Sequence, residues 1–148
     1  MSTDSPAYSS VWLTSRFDAG YTVPIVNQTG TSGYITSPNY PNNYTKLDLR
    51  EYYITAPSTC YTIMLTINDF DINWHSDTAL FVYQGSMMDD DDYLYTWDRC
   101  MTGKNFTIPS NAVTLRFLTD IALTRKGFNI SWTAIPNPSK EKSDNSIG

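Results

Sequence analysis

The sequence predicts an all-β protein, an antiparallel β-sandwich of two packed sheets. Three observations carry this. Several runs alternate apolar and polar residues with the period of a strand. Clusters of Pro and Gly separate those runs, and no stretch sustains a helical period. Aromatic residues make up 14% of the chain, with eleven Tyr, and Tyr, Thr, Val and Ile suit half-buried pleated surfaces. Several short strands at this spacing indicate a sandwich. The 148 residues suffice for one domain with its own core.

Taken in order, residues 1–21 form a polar N-terminal extension with one apolar knot, Val11-Trp12-Leu13. Within it, residues 8–14 are rich in strand formers. The preferred expectation is that they pair with an edge of their own sheet or stay disordered; the alternative is that they add to a neighbour's edge and build an oligomer. Residues 22–135 carry the strand patterns and form the domain. Tyr61, Ile63, Leu65 and Ile67 share one face of a strand, with Thr62 and Thr66 on the other. Successive side chains point to opposite faces, so each such run has an inner and an outer side. The run from Ala79 to Tyr83 is apolar on both sides and predicts a central strand. Val113, Leu115 and Phe117 alternate with Thr114 and Arg116. Phe128, Ile130, Trp132 and Ala134 alternate with Asn129, Ser131 and Thr133, which points Asn129 to solvent. Residues 136–148, opening on Pro136-Asn-Pro138, form a solvated polar tail.

The net charge of -5 argues against nucleic acid, which needs a basic face. No segment approaches the roughly 20 apolar residues of a membrane span. Met1 is followed by Ser, Thr, Asp and Ser, which make no signal peptide, so the start is expected to be a processed terminus. Asn27-Gln-Thr29, Asn43-Tyr-Thr45, Asn105-Phe-Thr107 and Asn129-Ile-Ser131 all fit the glycosylation acceptor pattern. Four acceptors in so short a chain predict a secreted, extracellular glycoprotein.

No catalytic constellation is present. His75 stands beside Ser76 and Asp77, but residues adjacent in a strand or loop do not face one another, so triad geometry is not met. Two Cys and one His make no zinc set, and phosphate-binding Gly loops are absent. The run Asp89-Asp-Asp-Asp92 cannot converge on one ion from an extended segment, so it reads as a solvated hairpin loop. Trp12, Trp74 and Trp97 lie off the clearest strands. They either anchor a sugar or protein interface or fill the ends of the sandwich.

The segment Gly33-Tyr-Ile-Thr-Ser-Pro-Asn-Tyr-Pro41 resembles the opening of a CUB domain. Its paired prolines fix φ and block ladder donors, which suits an edge or a turn. Further landmarks follow in family order: Tyr52-Tyr-Ile54, Ala56-Pro57, Tyr61-Thr-Ile63, Asp69-Phe-Asp-Ile72, Leu80-Phe-Val-Tyr-Gln-Gly85, Leu115-Arg-Phe-Leu-Thr-Asp120 and Lys126-Gly-Phe128. The resemblance implies a jelly-roll-like sandwich of two five-stranded antiparallel sheets. It also implies a module that binds, with catalysis left to other domains.

The resemblance implies two further things. Many CUB domains hold calcium, and the matching positions here are Asn73, Asp77 and Asp120. Asn73 stands where the family has Glu, which costs the site a charge. The family also has four Cys, paired first with second and third with fourth. Here the first position falls near Val23 or Pro24, the second is Arg50, the third lies near Asp77, and only Cys100 matches. Cys60 sits in a turn where the family has no Cys. Two readings stay open. Cys60 and Cys100 bridge within the chain, the preferred one, which contributes about 4 kcal/mol by the chain-entropy model. Or they bond to a neighbouring chain. Against the internal bridge, the strand after Cys60 spans roughly 30 Å at ~3.3 Å per residue, and a bridge needs Cα atoms within ~7 Å.

The sequence therefore predicts a non-catalytic extracellular module that recognises a protein or a glycan. The alternatives are a self-assembling fibre or matrix subunit and the non-catalytic arm of a secreted protease.

Overall fold

The computed structural model describes residues 23–137. Residues 8–14 lie outside them, as does the tail from residue 138. Nine strands are present among the described residues: β1 (Ile25–Thr29), β2 (Ser32–Thr36), β3 (Leu49–Thr55), β4 (Tyr61–Asp71), β5 (Ala79–Gln84), β6 (Tyr93–Trp97), β7 (Asn105–Ile108), β8 (Ala112–Leu118) and β9 (Gly127–Pro136). They form a first sheet in the order β1-β3-β8-β5-β6 and a second in the order β2-β9-β4-β7. The sandwich is as predicted, with two corrections. The second sheet has four strands among the described residues, not five, and β1 runs parallel to β3. The parallel pair has a local cause. The turn at Gly30, with φ 121°, carries the chain from the edge of one sheet straight to the edge of the other, so β1 makes no hairpin with β3.

The alternation holds. Ile63, Leu65 and Ile67 of β4, Val113, Leu115 and Phe117 of β8, and Phe128, Ile130, Trp132 and Ala134 of β9 are all buried between the sheets. Each such large side chain contributes roughly 1.5–3 kcal/mol on full burial. An irregularity after Ile67 shifts the register of β4, so Phe70 turns inward and stacks on Phe128 at 6.3 Å. Trp97 meets Phe70 edge-on and is itself buried, so it is a core residue.

The run from Ala79 to Tyr83 forms β5, which lies between β8 and β6 as a central strand should. Strand β8 is buried on both sides, beyond what its alternation predicted. Thr114 faces outward yet is buried, and its hydroxyl donates to the Gly85 carbonyl at 2.9 Å. Interior strands shield each other's outer faces with their side chains.

The register sorts the connections into two poles. Leu49, Leu118 and Ala79 are aligned, as are Leu80 with Trp97 and Asp71 with Gly127. The segments 37–48, 72–78, 98–104 and 119–126 therefore gather at one end, the loop pole. The short turns gather at the other. There, Asp90–Asp92 make a single 3₁₀ turn with no buried residue, the solvated loop that was expected. Among the described residues, no helix is long and apolar enough to cross a membrane.

Candidate functional site

The loop pole is held from inside by Tyr44, which is buried and packs edge-on against Phe117 at 5.3 Å. Its backbone N–H donates to the Arg125 carbonyl at 3.0 Å, and its hydroxyl accepts from the Asn73 N–H at 3.1 Å. One aromatic thus pins three loops.

Charge pairs fix the side of this pole. Lys126 Nζ meets Asp69 at 2.6 Å, and the Tyr40 hydroxyl donates to the same carboxylate at 2.7 Å. Burial works to raise the Asp69 pKa, but the hydrogen bonds from Lys126 and Tyr40 outweigh it and hold the carboxyl below its ordinary value. Arg125 pairs with Asp71 at 2.6 Å. Asp69, Asp71, Arg125 and Lys126 line a cleft of about 480 Å³ together with Trp74, His75 and Cys100.

Above the cleft the pole turns apolar. Trp74 is 54% exposed, Ile121 72% and Leu123 76%. Trp74 lies against the His75 ring at 3.7 Å, with the Arg99 guanidinium 5.6 Å from the indole centre. The Asn73 Nδ2 group donates to the Leu123 carbonyl at 3.0 Å, which brings the two apolar loops side by side. Trp74 was among the candidate anchors in the sequence. Ile121 and Leu123 were not. Their signal is a pair of large aliphatics placed just beyond the strand-ending Asp120, where a loop needs none.

The three residues implied for calcium do meet here. Asp120 Oδ2 accepts the Asp77 N–H at 2.7 Å, and Oδ1 accepts the Ala122 N–H at 2.9 Å. Asn73 Oδ1 accepts the His75 N–H at 3.1 Å while its amide nitrogen points to Leu123. Calcium takes six to eight oxygens. This corner offers two carboxylates, and the amide presents a donor where an ion needs an oxygen. Among the described residues, no group of three or more His, Cys, Asp or Glu gathers around a common point. By themselves these side chains supply fewer than the six to eight oxygens of a calcium site. Nor do His75, Ser76 and Asp77 make a relay: the Ser76 hydroxyl donates to the Asn73 carbonyl at 2.7 Å, away from the imidazole that rests on Trp74.

The cysteines require a correction. Cys60 and Cys100 are free thiols. Cys60 precedes β4 at the turn pole, where its carbonyl accepts from Asn137 N–H. Cys100 lies beside Phe70 near the far end of β4, whose eleven residues span roughly 35 Å. The internal bridge is therefore excluded while β4 stays paired. Of the sequon residues, Asn27, Asn43 and Asn105 are exposed, whereas Asn129 is half-buried and accepts from Asn68 Nδ2 at 3.0 Å.

A second groove, about 630 Å³, runs between the edges of β1 and β2. Gln28 spans it, accepting from Trp132 Nε1 at 2.6 Å and donating to the Tyr34 carbonyl at 2.8 Å. Gln28 and the Trp132 indole thus satisfy each other across it.

Comparison with known proteins assigns the fold. The CUB domain family matches residues 26–132. The chain belongs to the CUB family. Cubilin from Canis lupus familiaris is 34% identical over 113 residues, which is 72% of this chain and 3% of cubilin. Procollagen C-endopeptidase enhancer 1 from Rattus norvegicus is 28% identical over 116 residues, 74% of this chain and 24% of that protein. The chain thus spans a small part of the curated relatives it matches. Among solved structures, the CUB1-EGF-CUB2 domain of human MASP-1/3 superposes with a TM-score of 0.66 at 22% identity, covering 77% of this chain and 43% of that one. The MASP-1 CUB2 domain bound to Ca2+ gives 0.57 at 23% identity, covering 74% and 96%. At these identities the likeness shows the shared fold. CUB domains are in general non-catalytic modules of extracellular or secreted proteins.

Proposed function

We propose that this CUB domain is an extracellular recognition module, and that it binds a protein partner through its loop pole. The carrying observation is the exposure of Trp74, Ile121 and Leu123 on neighbouring loops. Exposed aliphatics favour an apolar protein side chain over a sugar, and a Trp with a guanidinium beside it is a frequent interface anchor. Arg99, Arg125 and Lys126 with their carboxylate partners supply the polar rim. The test is a binding screen of extracellular proteins and glycans against the native domain and the double variant Trp74→Ala/Leu123→Ser. Loss of two anchors weakens a bound protein by about 30-fold or more, with the melting temperature unchanged. A ligand held equally by both forms places recognition elsewhere.

For the corner of Asn73, Asp77 and Asp120 we infer that hydrogen bonds between the loops hold it together. The corner then closes without calcium.

A second reading, the self-assembling subunit, is favoured by the two thiols at opposite poles. Joining Cys100 of one copy to Cys60 of the next, by exchange with a small-molecule disulfide that takes up the two electrons and two protons and leaves as two thiols, builds a head-to-tail chain that does not close.

A further inference from the structure

We propose that two copies of this chain join through strand β6, pairing it antiparallel with its own counterpart so that the first sheets of both copies run on into one. The inference goes beyond the loop-pole reading and depends neither on it nor on the thiols.

Two open sheets have four edges, and natural sheets block theirs against stray pairing. Three are blocked among the described residues. β1 carries the glycan acceptor Asn27 and faces β2, where Gln28 Nε2 donates to the Tyr34 carbonyl at 2.8 Å. That bond spans both edges. β7 has four residues, with the acceptor Asn105 in it, Lys104 before it and Pro109 after it. β6, Tyr93-Leu-Tyr-Thr-Trp97, holds no charge, no Pro, no Gly and no acceptor Asn. It pairs with β5 alone. Its irregularity lies at the Tyr93 end and leaves Tyr95–Trp97 in regular register.

The ladder shows which backbone groups of that stretch are open. Gly85 N–H donates to the Ala112 carbonyl at 2.7 Å, so Phe81 and Tyr83 of β5 bond to β8. Bonding direction alternates along a strand. Leu80 and Val82 therefore bond to β6, through Trp97 and Tyr95. Thr96 turns its N–H and carbonyl to the open edge.

The charges select a second copy as the occupant. Asp89, Asp90 and Asp91 are exposed on the turn that leads into β6, and Arg99, with 71% of its side chain exposed, follows it. Antiparallel self-pairing sets the start of one strand against the end of the other. About an axis at Tyr95, Arg99 of each copy stands across from Asp91 of the other. The same axis sets Tyr95 against Tyr95 and Tyr93 against Trp97, aromatic cross-strand pairs that sheets favour. Asp92 across from Asp98 opposes the contact and keeps it weak. A parallel neighbour would set acid against acid along the whole turn. The self-pairing is isologous, so it closes at two copies.

Sedimentation equilibrium of the full chain, with reductant present, tests the proposal. The native chain is expected to pass from monomer to dimer as concentration rises. Thr96→Pro removes the outward donor, spares the bonds of Tyr95 and Trp97 to β5, and should abolish the dimer. Arg99→Asp and the double variant Asp90→Lys/Asp91→Lys should each weaken it about tenfold. An equimolar mixture of these two charge variants should dimerise again, since acid then meets base at both ends. Monomer at every concentration overturns the proposal. So does a dimer that Thr96→Pro leaves intact, because the joint is then elsewhere. So do charge variants that the mixture fails to restore. If Thr96→Pro does not fold, the charge exchange decides.

Discussion

Gly127 opens β9 with a φ of 95°, and a Cβ there would sit 1.8 Å from Ser37 Oγ. That hydroxyl is committed: it accepts the Phe128 N–H at 2.9 Å and donates to the Lys126 carbonyl at 3.4 Å. Gly127→Ala thus combines a left-handed backbone cost of about 1–3 kcal/mol with displacement of a buried hydrogen-bonding group. We expect a total loss near 3 kcal/mol, read as a lower midpoint in urea. An unchanged midpoint means that Ser37 is not the constraint. Gly33 is held in a similar way, since a Cβ there would come within 2.8 Å of both Gln28 Oε1 and Trp132 Nε1. Both glycines were visible as family landmarks. Their reasons were not, because Ser37 and Trp132 lie far from these glycines along the chain.

The loop segments show what pattern can and cannot carry between elements. Asn73, Asp77 and Asp120 were named together from the resemblance, and they do meet in one corner. Which atom of the Asn73 amide faces Leu123 is a matter of side-chain orientation, which no spacing encodes. That orientation yields a prediction. The melting temperature should agree to within about a degree between excess calcium and chelator, since a ligand stabilises only through a site it binds. A rise of several degrees with calcium, read by calorimetry, would mean that the amide flips and an ion enters. Strand periodicity was the most legible signal, because burial between two sheets enforces it at β4, β8 and β9. It was less complete on the outer side of β8, where Thr114 is covered by its neighbours, and blind to the shift after Ile67 that turns Phe70 inward.

At the scale of the molecule, one mass measurement on native protein separates the remaining readings. We expect glycans on at least two of the four sequons. Asn27, Asn43 and Asn105 are the most open, and Asn129, favoured by its outward phase, is more hemmed in by Asn68. A mass equal to the bare polypeptide would remove the case for secretion. Run without reductant, the same sample should show either monomer with two free thiols or a reducible ladder. Monomer with an internal bridge would require β4 to come apart. The separation of Cys60 from Cys100 was already calculable from strand length. The preference for a bridge came from counting cysteines, and the count carries no distance.

The parallel pairing of β1 with β3 brings the chain into the domain at the loop pole, while β9 leaves at the turn pole beside Cys60. The line from entry to exit therefore runs along the strands. Tension applied to the two ends draws β1 lengthwise against β3, and β9 lengthwise against β2 and β4. Such a load falls on the rungs of each ladder in shear, all at once, and does not peel them open one by one. The direction of a single five-residue strand makes the sandwich a link that carries force along its length.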